Sequence, residues 1–137
     1  MAVIEQLIRS ESDGSISFGD YTRADKSKLD GFKHEGATYK VKTFKEITKL
    51  EKDGAFVYES VPGTAVENLK SSENEVSFKV SGPDDSQITL ELLPETDYNI
   101  TLNGKDAGLM KTNLGGKLSF GVELDEGGSV DVKVTKA

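Results

Sequence analysis

Residues 76–80 (VSFKV) alternate strictly between apolar and polar side chains. Because successive side chains of a β-strand point to opposite faces, this pattern predicts a strand with one buried face and one solvent-exposed face. The same alternation recurs in residues 88–92, 98–102, 118–124 and 130–134. Turn-forming sequences separate these segments, and one of them is the Asn103-Gly104 pair that is typical of two-residue hairpins. We expect residues 107–112 to supply the returning strand of that hairpin.

The first half of the chain has a less regular pattern. Ser12-Asp13-Gly14 can turn a hairpin, with Ile16 and Phe18 facing inward, although a short helix over residues 2–10 is an alternative. Residues 22–36 are polar and charged, which favours a long loop. A β-meander and one further strand are predicted after this loop, in residues 37–44, 45–52, 55–61 and 64–70.

These patterns together predict an all-β fold. The expected architecture is an N-terminal antiparallel β-meander in residues 1–70, packed on a C-terminal immunoglobulin-like β-sandwich in residues 73–137.

Composition excludes several classes of function. The 137 residues include 17 Lys and Arg against 24 Asp and Glu, a net charge of −7, which argues against binding to nucleic acid. The chain has no Cys, so disulfides and thiolate metal sites are excluded. No apolar run reaches the roughly 18 residues of a membrane helix, and no convincing signal peptide is present. We therefore expect a cytoplasmic protein with no membrane contact and no cofactor.

Catalytic chemistry has little support in the sequence. His34 is the only histidine and lies in a charged segment, which favours a solvated side chain over a catalytic base, so no catalytic residue is assigned. Acidic turn residues could hold Ca²⁺ through carboxylate oxygens, and the candidate ligands are Asp84, Asp85 and Asp125. The alternative is that these residues serve only as turn formers.

Two sets of residues are candidates for ligand binding. Tyr58 and Tyr98 could stack on a sugar or a peptide, or could instead belong to the core. Lys40 and Lys42 fall on one strand face and could attract an anionic ligand or an acidic protein surface. The alternative for the lysines is a solvated face that discourages aggregation of sheet edges.

Three segments carry a resemblance to a known family, and they are residues 39–44 (YKVKTF), 56–68 (FVYESVPGTAVEN) and 111–119 (KTNLGGKLS). Over nearly the whole length the chain resembles short clostridial-type bacterial proteins that often carry the label endosialidase. Endosialidase chemistry uses arginines to bind sialic carboxylates, and this chain has only Arg9 and Arg23, so no catalytic residue is carried over. The second half separately is similar to immunoglobulin-like accessory modules of polysaccharide-degrading enzymes.

The leading hypothesis is a non-enzymatic binding or structural module that acts through a protein partner or through self-association. One alternative is a carbohydrate-binding accessory protein or sialic-acid hydrolase, which would require exposed tyrosines along a groove. A further alternative is a decoration or tail component of a phage-like particle.

Overall fold

The prediction of an all-β fold is confirmed. The computed structural model describes residues 3–124 and 128–137, and within those ranges every regular element is a β-strand. The strands are β1 Ile8–Ser10, β2 Ile16–Phe18, β3 Ser27–His34, β4 Ala37–Phe44, β5 Ile47–Lys52, β6 Ala55–Val61, β7 Ala65–Ser71, β8 Glu75–Gly82, β9 Ser86–Glu91, β10 Asp97–Leu102, β11 Lys105–Lys111, β12 Lys117–Val122 and β13 Gly128–Lys136. A helix long and apolar enough to cross a membrane is absent from these two ranges.

The strands form two antiparallel sheets. The first sheet has the order β1-β2-β7-β8-β13-β10-β11, and the second has the order β12-β9-β6-β5-β4-β3. Their apolar faces enclose one core, in which the ring of Tyr58 contacts Phe18 and Phe78 edge-to-face at centroid distances of 5.2 and 5.6 Å. Val76, Phe78 and Val80 are all buried in this core, as the alternation in residues 76–80 predicts.

Both sheets contain strands from both halves of the chain. The predicted boundary between residues 70 and 73 lies at the β7–β8 turn, and β7 pairs with β8 across it. In the second sheet, β6 of the first half pairs with β9 of the second half. The two segments therefore share one core.

The long loop predicted for residues 22–36 is wrong over Ser27–His34, which form β3. This strand lies at the edge of the second sheet and pairs only with β4. Leu29 and Phe32 pack partly against the core, and a bulge between them places two residues opposite Lys40. Because an edge strand with a bulge buries few side chains, its sequence lacks the alternation that marks the central strands.

The N-terminal hairpin is confirmed, although both strands are shorter than the predicted segments, residues 5–11 and 15–21. Ile8–Ser10 pair with Ile16–Phe18, so the alternative helix does not extend over these residues. Ile16 and Phe18 are buried, as the sequence predicts. The returning strand predicted near residues 107–112 is present as β11 and pairs with β10 across the Asn103-Gly104 turn.

Candidate functional site

Three lysines form a row across the outer face of the second sheet. Lys42 on β4 lies directly opposite Lys28 on β3 and directly opposite Lys49 on β5. We call Lys28, Lys42 and Lys49 the lysine row. Lys40 extends from the same face of β4, because both lysines alternate with the buried residues Tyr39 and Val41. Lys42 of the predicted basic face thus has cationic neighbours on both adjacent strands, whereas Lys40 lies opposite Glu51 on β5.

The lysine row is poorly compensated by acidic groups. Among the described residues, only Lys49 of the row has a carboxylate within 4.0 Å, and this is Glu51 at 3.7 Å. Partial burial lowers the pKa of Lys42, and the nearby charges of Lys26, Lys49 and Lys28 lower it further, against the opposing effect of Glu59, which lies opposite Lys49 on β6. Like charges placed directly opposite each other on neighbouring strands destabilise a sheet. The row therefore costs folding free energy.

Apolar side chains border the lysine row on the same face. Phe44 lies opposite Ile47, and the Nζ atom of Lys26 is 5.9 Å from the centroid of the Phe44 ring. On the other side, the Phe56 ring is 5.8 Å from Nζ of Lys49 and 4.6 Å from Nζ of Lys117. Both aromatic rings are half-buried. The outer face of the second sheet thus combines clustered positive charge with partly exposed aromatic surface.

Tyr58 is not available for stacking on a ligand. Its side chain is 0% exposed, and its hydroxyl lies 2.8 Å from the hydroxyl of Thr64 in the interior. Tyr98 is also buried, and its hydroxyl accepts a hydrogen bond from the backbone N–H of Leu93 at 3.2 Å. Since Tyr21 and Tyr39 are buried as well, the exposed tyrosine groove that sugar binding would require is not formed by these four residues.

Tyr98 does line a cleft between the two sheets. This inter-sheet cleft has a volume of about 330 Å³ and is open at the end of the sandwich where the β5–β6 and β7–β8 turns lie. Its walls come from Val57 and Leu90 on the second sheet and from Leu69, Val76 and Tyr98 on the first. Tyr39 and Lys52 also line it. The sequence offered no signal for this cleft, because its walls meet only when the sheets pack.

The solvated histidine predicted at position 34 is wrong. His34 is buried, its Nδ1 lies 2.7 Å from the Ser10 hydroxyl, and its Nε2 lies 3.1 Å from the carbonyl oxygen of Gly14. Since a carbonyl can only accept, Nε2 carries the proton and Nδ1 accepts from Ser10 when the ring is neutral. His34 therefore connects the edge strand β3 to the N-terminal hairpin.

The candidate calcium ligands do not form a cluster among the described residues. Asp84 and Asp85 are exposed in the turn before β9, and Oδ1 of Asp85 accepts the backbone N–H of Leu124 at 3.0 Å. Asp125 lies outside the described residues. Within residues 3–124 and 128–137, no three His, Asp or Glu side chains are placed to hold a metal ion.

No protein-family model matches this chain, and no curated protein or solved structure matches it either. The resemblance to proteins labelled endosialidase stays a prediction. The outer face of the second sheet and the inter-sheet cleft are therefore the candidate binding regions.

Proposed function

We propose that this chain is a non-enzymatic interaction module that binds an acidic protein surface through the outer face of its second sheet. The lysine row carries this proposal, because three ammonium groups stand opposite one another on three consecutive strands. Carboxylates of a partner placed between them would replace repulsion by ion pairs. The repulsion that destabilises the free chain is thus relieved when the partner binds.

The surroundings of the row favour a protein over a nucleic acid as the partner. The net charge of −7 repels a long polyanion, while a local acidic patch on a protein needs only the row itself. Phe44, Ile47 and Val61 supply apolar contact area on the same face, and Val61 is 51% exposed. A folded or extended acidic partner could cover both the charges and this apolar border.

The proposal is tested with a short, fluorescently labelled glutamate peptide, which imitates a local acidic patch, measured by anisotropy at low and at physiological ionic strength. Each exposed ion pair contributes about 0.5 kcal/mol, so loss of three pairs weakens binding about tenfold. We expect at least this loss for the triple variant Lys28→Glu, Lys42→Glu, Lys49→Glu. Added salt should weaken binding of the wild type more than binding of the variant.

The matched control is the triple variant Lys105→Glu, Lys111→Glu, Lys136→Glu, which makes the same change in net charge at exposed positions of the first sheet. Its affinity should stay within about twofold of that of the wild type, because the altered charges are exposed and distant from the lysine row. Equal losses in the two triple variants would mean that net charge alone governs binding. Tighter binding of heparin or duplex DNA than of the glutamate peptide would point to a different class of partner.

Self-association is a second candidate, favoured by the free edge strand β11. Among the strands that the structure describes, it pairs only with β10, and the Leu109 side chain on it is 59% exposed. Unpaired backbone groups of an edge strand can pair with a second chain. Asp106 and Lys111 place charges of both signs on this strand, which suits an antiparallel partner that is a second copy of the chain.

Light scattering across a concentration series tests self-association. We expect a dimer that dissociates in the Leu109→Lys variant, because the substitution removes exposed apolar surface and places a charged side chain on the edge, which opposes edge-to-edge pairing. Leu114→Lys is the control, since Leu114 is 79% exposed but lies in the turn after β11. A wild-type chain that stays monomeric at high concentration would rule out this candidate.

A further inference from the structure

A small cavity lies within the lysine row, on the outer face of the second sheet. It has a volume of about 70 Å³ and is lined by Lys28, Lys40, Lys42, Lys49 and Glu51. One water molecule requires about 10–15 Å³ of cavity volume, so this cavity holds a compact group of several heavy atoms.

Strand register brings the cations of this cavity together from three strands. Lys42 on β4 lies directly opposite Lys28 on β3 and Lys49 on β5, and residues in such pairs have Cβ atoms about 4.5–5.5 Å apart. Lys40 stands two residues along β4 on the same face. Because a lysine side chain is long and its ammonium group has three rotatable donors, groups from all three strands can donate to one bound anion.

The charges that line the cavity are unbalanced. Four lysines stand against one glutamate, Glu51, so the lining has a net charge of +3. Glu51 lies 3.7 Å from Nζ of Lys49. Within residues 3–124 and 128–137, none of the other three lysines has a carboxylate within 4.0 Å. Outside the lining, Lys26 and Glu59 also act on Lys42, and their opposite signs leave the imbalance unchanged.

Carboxylates at two borders of the cavity limit what can bind there. Glu51 lies opposite Lys40 on β5, and Asp30 lies in the bulge of β3 that faces Lys40. Oδ1 of Asp30 accepts the backbone N–H of Gly31 at 2.7 Å. These two carboxylates would repel an extended run of negative charge, whereas a single compact anion between the ammonium groups avoids them.

A phosphoryl group matches this cavity better than a carboxylate does. A phosphorylated serine or threonine carries about −1.5 to −2 charges at neutral pH and three acceptor oxygens. A carboxylate has one charge and two oxygens in a plane. Three oxygens can accept from ammonium groups on three strands at once, and a charge near −2 offsets most of the net charge of the lining.

We propose that the cavity in the lysine row binds one phosphoryl group, carried by a phosphorylated serine or threonine of the acidic partner. Phosphorylation of the partner then strengthens the complex. This inference rests on the proposed function, because the same lysines contact the partner in both.

The test compares three fluorescently labelled peptides by anisotropy at one ionic strength and at about pH 7.5, where phosphoserine carries nearly two charges. The first is the short glutamate peptide. The second has phosphoserine in place of its central glutamate, and the third has one additional glutamate, so that its charge equals that of the second. We expect the phosphoserine peptide to bind about tenfold more tightly than the third peptide, because phosphate makes additional charge-assisted hydrogen bonds.

The pH dependence separates phosphate from carboxylate. The second pKa of phosphoserine is about 6 and the pKa of glutamate is about 4.3, so a change from about pH 7.5 to about pH 5.5 removes charge mainly from the phosphoserine peptide. Its advantage over the third peptide should therefore fall severalfold. Titration of the protein itself affects both peptides alike. An advantage that does not change with pH would overturn the phosphoryl site.

Lys42→Met locates the site, because Lys42 is the central cation of the lysine row. This variant should bind the phosphoserine peptide and the third peptide with affinities within about twofold of each other. Lys105→Met, at an exposed position on β11 of the first sheet, is the matched control and should keep the full preference. Equal loss of the preference in the two variants would overturn the assigned site.

Failure of the phosphoryl site and failure of the proposed function give different results. Equal binding of the phosphoserine peptide and the third peptide through the lysine row would overturn the phosphoryl site alone. Absence of binding by all three peptides would overturn both proposals. Inorganic phosphate that binds as tightly as the phosphoserine peptide would indicate a site for the free ion and overturn the assignment to a protein partner.

Discussion

The hydroxyl of Tyr58 lies 2.8 Å from the hydroxyl of Thr64, deep between the two sheets. Thr64 Oγ1 also lies 2.8 Å from the Ser60 hydroxyl, and the backbone N–H and carbonyl of Thr64 bond to the hydroxyl of Thr48. All four residues are fully buried. This network attaches the β6–β7 connection to strands β5 and β6, so one threonine satisfies polar groups from three parts of the fold.

Thr64→Val should destabilise the protein more than Tyr58→Phe. The valine leaves the hydroxyls of Tyr58 and Ser60 buried without this partner, which costs about 3 kcal/mol. The phenylalanine removes one donor, while Thr64 keeps Ser60 as a partner, and the cost is about 1 kcal/mol. Urea unfolding at neutral pH measures both values. An equal loss in the two variants would mean that the network is not shared through Thr64.

Lys42→Met should stabilise the free protein. Removal of the central charge of the lysine row relieves repulsion of about 0.5 kcal/mol, which raises Tm by about 2 °C in a chain of this size. Lys79→Met is the matched control on the first sheet, where Lys79 lies opposite Glu67 and Asp131. That variant should lower Tm, because it removes the cation from between two carboxylates. A lower Tm for Lys42→Met would contradict the destabilising role of the row.

The pH dependence of wild-type stability should show the cost of the Lys42 charge, which comes first from partial burial and then from repulsion by the neighbouring lysines. The pKa of Lys42 in the folded chain is lowered below its ordinary value of 10.5, so the unfolded chain binds more protons between the two values. The destabilisation is fully present below the lowered pKa and disappears as pH rises towards 10.5. Thermal unfolding across the alkaline range should show a gain in stability for the wild type that is smaller in Lys42→Met.

Ser17→Ala should reduce both stability at neutral pH and its loss in acid. The buried Ser17 hydroxyl donates to Glu11, and this hydrogen bond, assisted by Arg9, lowers the pKa of the Glu11 carboxyl from its ordinary value of 4.5. A lowered carboxyl pKa gives stability that is present above pH 4.5 and is lost as pH falls through the folded value. The Ser17 hydroxyl also accepts the backbone N–H of Asn68 at 3.0 Å.

We expect a cost of about 1–2 kcal/mol for Ser17→Ala at pH 7 and a smaller slope of stability against pH in the acid range. Denaturant unfolding at several pH values measures both. Ser12→Ala, at an exposed serine of the same hairpin, is the control and should match the wild type. An acid slope in Ser17→Ala equal to that of the wild type would assign the lowered pKa to other groups.

His34→Phe should loosen the N-terminal hairpin while it keeps the packing of the ring. The aromatic ring at position 34 contacts Tyr39 edge-to-face at 5.8 Å, and phenylalanine retains this contact. The hydrogen bonds to Ser10 and Gly14 are lost. We expect a loss of about 1 kcal/mol and faster amide exchange of Glu11 and Gly14, whose N–H groups close the hairpin turn. Unchanged exchange at these amides would show that His34 does not hold the hairpin.

Strands with one fully buried face were predicted from the sequence, whereas an edge strand with few buried side chains was not. The central strands, such as β8 with Val76, Phe78 and Val80, show the alternation that one buried face requires, and their burial is as predicted. β3 was missed because an edge strand with a bulge carries few apolar residues. Lys28 was missed with it, so the sequence placed Lys42 on a basic strand face beside Lys40 without its neighbour on β3.

The sequence by itself determined the all-β class, most strand positions and the outward direction of Lys40 and Lys42, because alternation is a local property of each strand. Only the tertiary structure decided that Lys28, Lys42 and Lys49 are neighbours, that His34 is buried, and that Tyr39 and Lys52 meet at an inter-sheet cleft. These features depend on which strands pair and in which register. Pairing is set by packing across the whole core, and no short segment encodes it alone.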